Sequence, residues 1–368
     1  MTPGGLRVAM VGLRAPWGAE GGVESAVGAL SPRLVARGHE VTVYCRPAYN
    51  PHGTSIVNGV RLVDVPTVTG VGTEAFVHSA LAAARATARH DVVHLHACGP
   101  ALFAPIPRAA GRAAVVTVHG LDWEREKWGP AARRIRRRGA RVGARTASRT
   151  IAVSEHVAAA VRALGGRVTT IPTGVAPHTP EPWDPARFPD LRPGRYVLAL
   201  GRLVPEKEHR TLLRAAEASG VTVAVVGGAP AGDPYTRALH AHASPRVVFT
   251  GARYDAEKRM LLTHARAFAL PSRVEGLSIA LLEAAAAGLP LLVSAIPPNL
   301  EVIGDAPAWR LPVGDDAAWA RALAEVEQLD ADALARIGRA TAAAVCSRYD
   351  WDAVTTRTEA VYRAAMGA

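Results

Sequence analysis

What most limits the folds open to this chain is a repeated alternation between short β-branched runs and longer stretches with helical periodicity. In the first half the runs are 7–12 (RVAMVG), 40–45 (EVTVYC), 91–96 (DVVHLH), 114–119 (AVVTVH) and 149–154 (RTIAVS). A strand with one wet face alternates apolar and polar residues. These runs do not, so both faces are buried, as in a parallel sheet covered by helices on each side. Between the first two runs, residues 24–36 align Val27, Leu30, Leu34 and Val35 in a stripe before Gly38 stops the helix.

Residues 175–194 carry six prolines and few apolar runs, which reads as a linker. The alternation then restarts at 196–200, 222–226, 246–250, 267–270 and 291–294. A chain of 368 residues is also longer than one core usually grows. The expectation is an α/β chain of two doubly wound domains, 1–178 and 179–345, followed by a segment 346–368. Ligands are expected in a cleft between them, at the C-terminal ends of the strands.

Composition excludes some classes. No apolar run reaches the ~18 residues of a membrane span. The opening run 6–13 is broken by glycine and has neither a basic leader nor a cleavage site, so it reads as a first strand and not a signal peptide. Cys45, Cys98 and Cys346 have no metal-ligand spacing and no even-numbered framework, which fits a reducing cytoplasm. The net charge is +11, yet lysine occurs only at Lys127, Lys207 and Lys258. Arginine therefore carries nearly all of it. An anionic partner and a compositional bias toward arginine both explain that excess.

Two loops of the second half concentrate chemistry. In 201–207 (GRLVPEK), Arg202 ends a strand and Lys207 begins the next helix, so both can converge on a dianionic group. The alternative is a surface turn with two solvated cations. The loop 270–278 runs into a helix over 279–287, with Glu275 just before it and Glu283 two turns in. An acid on an alanine-rich, packed helix is unexpected; buried, it needs a partner, and vicinal hydroxyls are good donors. The N–H groups of Gly276, Leu277 and Ser278 offer a further anion or hydroxyl site, against the simpler reading of an ordinary helix cap.

In the first half, the loop 19–24 brings Gly21 and Gly22 to a helix start, where backbone can approach a ligand closely or merely turn. His119 closes the fourth strand at its crevice end. Trp123 and Trp128 lie in the loop that follows, suited to stacking on a ligand ring or to anchoring the loop.

Between Arg133 and Arg149 stand eight arginines, at 133, 134, 136, 137, 138, 141, 145 and 149. Helical spacing aligns Ile135, Gly139, Val142 and Thr146 as a narrow stripe expected to face the core. The arginines occupy the remaining circumference. They form either a solvated surface or a basic face for anionic lipid or a lipid diphosphate.

Taken in order, these segments resemble glycosyltransferase family four, the retaining nucleotide-sugar transferases of the GT-B fold. The matching text is GRLVPEK (201–207), the E-x7-E element EGLSIALLE (275–283), LVARGHEVTVYC (34–45), DVVHLH (91–96), VSEHV (153–157), IPTGV (171–175), PPNLEVIGD (297–305) and a WDAV…VYR tail (351–363). The run 121–129 is similar to a subset that includes bacterial polysaccharide and rhamnosyl enzymes.

The resemblance implies two Rossmann-like domains facing a central cleft, acceptor side first and donor side second, with the C-terminal helix crossing back to the first. Arg202 and Lys207 would neutralise the donor diphosphate, Glu283 would hold the ribose, and Glu275 would face the transferred sugar beside the backbone of Gly276, Leu277 and Ser278. Arg253 would lie near the base, Gly21 and Gly22 beside diphosphate and acceptor, and His119 against the donor sugar. It further implies transfer with retention by front-face attack and no metal. The co-substrate would be a nucleotide-diphosphate sugar, with UDP favoured and GDP or dTDP as alternatives. Thr173, where asparagine is commoner, and Leu277-Ser278-Ile279 depart from the family pattern.

The expected protein is thus a cytoplasmic glycosyltransferase, peripheral at the inner face of the membrane if the arginine-rich helix binds lipid. A GT-B-type nucleotide-sugar epimerase or phosphorylase shares the architecture. A non-catalytic nucleic-acid binder would use the charge, but no aromatic-interleaved basic surface supports it.

Overall fold

The structure is a computed structural model describing residues 4–17, 21–68, 70, 73–125, 128–229 and 232–367. It divides into two compact units, 1–174 with 351–368, and 175–350. The breaks expected at 178 and 345 move for local reasons: helix α12 (Ala331–Cys346) runs on unbroken past 345, and Val175 already pairs with Asp350 of the second unit.

The first unit runs β1 (Arg7–Val11), α1 (Gly22–Ala36), β2 (Glu40–Cys45), β3 (Ser55–Val57), β4 (Val60–Asp64), α2 (Thr73–Thr87), β5 (Val92–His96), α3 (Pro105–Ala109), β6 (Ala113–Val118), α4 (Pro130–Thr146), β7 (Arg149–Ala152), α5 (Glu155–Arg162) and β8 (Val168–Thr170). Among the described residues its strands lie in the order β3-β4-β2-β1-β5-β6-β7-β8, parallel except for β3 against β4. In β1, Val8 stands opposite Val41 and Val92. Val8 and Met10 pack with Val27, Leu30 and Leu34 of α1. Helix α13 (Trp351–Met366) completes this layer through Trp351, Val354, Val361 and Tyr362, so the last helix belongs to the first unit.

The second unit runs β9 (Val197–Leu200), α6 (His209–Ser219), β10 (Val223–Val226), α7 (Pro234–His240), β11 (Val247–Gly251), α8 (Asp255–His264), β12 (Ala267–Leu270), α9 (Ile279–Ala286), β13 (Leu291–Ser294), α10 (Pro297–Ile303), β14 (Ala308–Leu311), α11 (Asp316–Gln328) and α12. Its sheet is all parallel, in the order β11-β10-β9-β12-β13-β14. Side chains alternate across a strand, and β9 uses both faces. Tyr196, Leu198 and Leu200 enter a core with Leu281 and Leu282, whereas Val197 and Ala199 enter another with Leu212, Leu213 and Trp319. That explains the unbroken apolar run.

Strand order reverses between β9 and β12, and there the sheet opens. The two strands share only two paired positions, Val197 with Ala267 and Leu198 with Phe268, while β9 and β10 share four. The loops following β9 and β12 therefore leave from a crevice, where ligands settle in open α/β sheets.

Two expectations fail here. The proline-rich segment 175–194 is not a free linker. Phe188 and Leu191 are buried in the core of the second unit, Trp183 packs beside Phe188 and Tyr196, and Glu181 pairs with Arg259 of α8. The prolines hold an extended path whose apolar residues have no strand or helix period to betray them. On α4, Ile135 and Thr146 face solvent and Val142 is half-exposed. The buried stripe is Gly139, Ala140, Gly143 and Ala144. Contact here is backbone to backbone: a Cβ on Gly139 would stand 2.2 Å from the carbonyl oxygen of Cys98, so small residues, and not Ile135, take the inner face.

Candidate active site

The two loops chosen from the sequence meet at the crevice of the second unit. After β9 the chain turns through a 3-10 turn, Pro205–Lys207, and Glu208 takes a left-handed conformation (φ +50°) before α6 begins. The turn aims Lys207 across the seam. Its Nζ donates to Glu275 Oε1 at 2.5 Å, and the two side chains are 16% and 8% exposed. A charge-assisted bond in so enclosed a place fixes both groups. Arg273 tightens the same join: its backbone N–H donates to the carbonyl of Glu206, and its guanidinium pairs with Glu208. Arg202 stands at the end of β9 with its side chain exposed, and its carbonyl lies 3.1 Å from His209 Nε2. Burial lowers the His209 pKa to about 4, so this anchor is uncharged near neutrality.

Beyond Glu275, Ser278 caps α9 by accepting from the Leu281 N–H. Gly276 and Leu277 thus lie just ahead of the N-terminus of that helix. Glu283 is not the buried acid expected. Its side chain is 28% exposed, and it accepts from Lys258 Nζ of α8 at 2.6 Å. Lys258 reaches it from α8, and at this exposure the charge stays partly hydrated. Arg253, after the edge strand β11, contacts Glu257 at 3.4 Å and lies over the Phe188 ring at 5.6 Å. It sits two strands from the Lys207–Glu275 pair in sheet order.

Several supporting residues escaped the sequence reading. A Cβ on Gly227, just after β10, would stand 1.8 Å from the Gly201 carbonyl oxygen, so only glycine lets β10 end this close to the loop carrying Arg202. The doubled glycine at 227–228 was its one visible signal. Ser294 Oγ donates to the carbonyl of Ser272, and Asn299 Nδ2 donates to the Ser294 carbonyl at 3.2 Å, bracing the loop after β12 from beneath. Glu206 is buried, and neither carboxyl oxygen has a partner among the described residues.

In the first unit, Gly21 caps α1 at φ +146° and Gly22 opens the helix; residues 18–20 of that loop lie outside the described set. The buried Glu24 of the first turn pairs with Arg14 at 3.1 Å. His119 directly follows β6, its ring held by another ring: His119 Nε2 lies 3.2 Å from His96 Nδ1. His96 Nε2 in turn faces Met10 Sδ at 3.4 Å. A thioether has no proton to give, so His96 Nε2 carries the hydrogen and His96 Nδ1 accepts from His119 Nε2–H. That tautomer makes His119 Nδ1 an acceptor. Burial holds the His119 pKa down at about 4, opposed by Asp122. His94 lies against His96, with ring centroids 4.1 Å apart, and is itself fixed by Thr117 (2.6 Å) and Tyr362 (2.8 Å). The adjacent cavity, about 40 Å³, is far smaller than a ligand pocket and is a packing gap.

The loop after His119 is fastened to α4. Arg133 Nε donates to the Trp123 carbonyl at 2.7 Å, and the Arg136 guanidinium stacks on Trp128 at 3.4 Å. Trp128 therefore anchors the loop; residues 126 and 127 are outside the described set. No group of three or more His, Cys, Asp or Glu among the described residues is placed to hold a metal.

Residues 20–179 match the model described as Glycosyltransferase Family 4, and residues 188–343 match Glycosyl transferases group 1. The chain is 32% identical over 305 residues to a GDP-mannose-dependent alpha-(1-6)-phosphatidylinositol monomannoside mannosyltransferase of Mycobacterium tuberculosis, covering 74% of this chain and 76% of that one. It is 30% identical to the phosphatidyl-myo-inositol mannosyltransferase of Mycolicibacterium smegmatis, covering 95% and 91%. Among solved structures, sucrose-phosphate synthase of Thermosynechococcus elongatus superposes with a TM-score of 0.83 at 20% identity over 97% of this chain and 98% of that one. Anabaena HepE in complex with UDP-glucose gives 0.79 at 19% identity over 97% and 99%.

Proposed function

The chain belongs to glycosyltransferase family 4 and is a nucleotide-sugar-dependent glycosyltransferase of the GT-B fold; we propose that it moves mannose from GDP-mannose, with retention, to a hydroxyl of a phosphate-bearing polyol carried on a lipid. The observation that carries the donor site is the Lys207–Glu275 pair at the reversal of strand order. It holds one cation and one hydrogen-bond acceptor side by side at the crevice of the second unit.

In this reading Lys207 and Arg202 neutralise the diphosphate and stabilise it as it departs, while Glu275 accepts from hydroxyls of the sugar. Glu283, oriented by Lys258, binds the ribose, and the N–H groups ahead of α9 assist at the phosphate. The acceptor's proton passes to the leaving phosphate oxygen on the same face. Glu275 and Glu283, the two acids assigned to the donor, are each tied to a lysine, which suits holding hydroxyls and not attack on the sugar.

The choice of base follows the relatives. GDP is named for a mannosyltransferase at 32% identity, and UDP accompanies a structural neighbour at 19%. GDP-mannose therefore stands ahead of the UDP sugar expected from sequence. The acceptor follows the phosphatidylinositol in the names of both relatives. No helix among the described residues is long and apolar enough to cross a membrane, so a lipid acceptor would be reached by peripheral contact.

A thermal-shift screen of the full chain against GDP-mannose, UDP-glucose and dTDP-glucose tests the donor, because a ligand that binds only the folded state raises its stability. A shift with GDP-mannose alone supports the reading; a shift with UDP-glucose alone reassigns the base. Conversion of the donor without any acceptor would favour the epimerase or phosphorylase alternative.

A further inference from the structure

The outward face of α4 has no part in the donor site. The net charge is concentrated in and just after this helix. Of 43 basic residues, eight lie between Arg133 and Arg149; the other 35 nearly balance the 32 acids, so +8 of the net +11 sits on 17 residues. A general bias toward arginine would spread the excess over the chain. No acid occurs between Lys127 and Glu155. A merely solvated helix gains from acids at i±4, whereas here Arg134, Arg138, Arg137 and Arg141 repel one another at that spacing. The arrangement costs helix stability and calls for an anionic counterpart.

The fold sorts these arginines. Arg133 and Arg136 are engaged with Trp123 and Trp128. Arg134, Arg137, Arg138 and Arg141 are exposed, and none joins an ion pair with another described residue. Among them Ile135 is 52% exposed, with Val142 half-exposed on the same side. An apolar strip flanked by guanidinium groups is the pattern of a helix lying in the headgroup region, where arginine reaches phosphates and aliphatic carbons settle below them. A nucleic acid would reward the charge and not the isoleucine.

We propose that this outward face of α4, with Arg134, Arg137, Arg138 and Arg141 around Ile135 and Val142, docks on an anionic phospholipid bilayer. Because the inner face of the same helix is seated on Cys98 and holds the loop around Trp123 and Trp128, docking sets that loop at the membrane surface. This deepens the reading of a lipid-borne acceptor, but it is tested without any sugar transfer, so the two can fail separately.

The test is co-sedimentation of the full chain with vesicles of phosphatidylcholine alone or of equal parts phosphatidylcholine and phosphatidylglycerol. Binding is expected only to the anionic vesicles, weakening as salt shortens the screening length. At roughly fivefold per arginine, combining Arg134→Gln, Arg137→Gln, Arg138→Gln and Arg141→Gln should cut partition several-hundredfold. Ile135→Asn should cut it several-fold, with the melting temperature of both variants kept. Equal binding to neutral vesicles, or wild-type partition by the arginine variant, overturns the proposal. So does binding to duplex DNA that matches the vesicle affinity and ignores Ile135→Asn, which would make the face a general polyanion site.

Discussion

Lys207 and Glu275, 68 residues apart, meet at 2.5 Å across the point where the second sheet reverses its strand order. Neither loop explains this alone. The 3-10 turn aims the lysine, the missing pairs between β9 and β12 open the gap, and the Arg273 N–H fastens one loop to the other.

The Glu283–Lys258 pair lies one helix away, so its effect should differ from that of Lys207. If Glu283 binds ribose, it contributes equally to ground state and transition state. Glu283→Gln should then raise the donor KM roughly tenfold, the worth of about 1.4 kcal/mol, with kcat nearly unchanged. Steady-state kinetics with varied GDP-mannose separates the two; a fall in kcat at constant KM would remove Glu283 from the ribose.

Acid stability should follow the buried histidines. His78, His94 and His119 of the first unit have pKa values lowered by burial to about 4, 3 and 4, and His96 is also lowered. Unfolded, each would titrate near 6.5, so between that pH and about 4 the unfolded chain binds more protons. Stability contributed by the neutral rings is full above 6.5 and lost as the pH falls. The second unit has only His209 lowered as far, so calorimetry should show the first unit destabilised more steeply below pH 6.5. A flat profile down to pH 4 would mean that these rings accept protons in the folded state.

Phe188 distinguishes a packed segment from a linker. It is 4% exposed, between Trp183 and the core of the second unit. Phe188→Ala should cost about 3–5 kcal/mol, read by denaturant unfolding of that unit. A residue in a free linker would cost almost nothing.

Much of the fold was legible, since unbroken apolar strands can only be buried on both faces. The crevice residues Arg202, Lys207 and Glu275 were legible because strand ends and helix starts have sequence marks. What escaped depends on contacts between distant segments. Ile135 looks like a core residue by period, but a helix that must touch the Cys98 backbone buries glycine instead. Nothing near His119 announces that His96 and Met10 fix its tautomer, because these residues meet only through sheet order. Gly227 reads as any loop glycine until its distance to Gly201 is seen; Gly227→Ala should displace the loop after β9 and lower both melting temperature and donor affinity.

The most direct test is the rate of mannose transfer from GDP-mannose to a phosphatidylinositol acceptor by wild type and Lys207→Ala, with folding checked by circular dichroism. Removing one preorganised cation from the leaving diphosphate should lower kcat by roughly a hundred- to a thousandfold in a folded protein. Transfer by Lys207→Ala at near wild-type rate would contradict the assignment of the donor site.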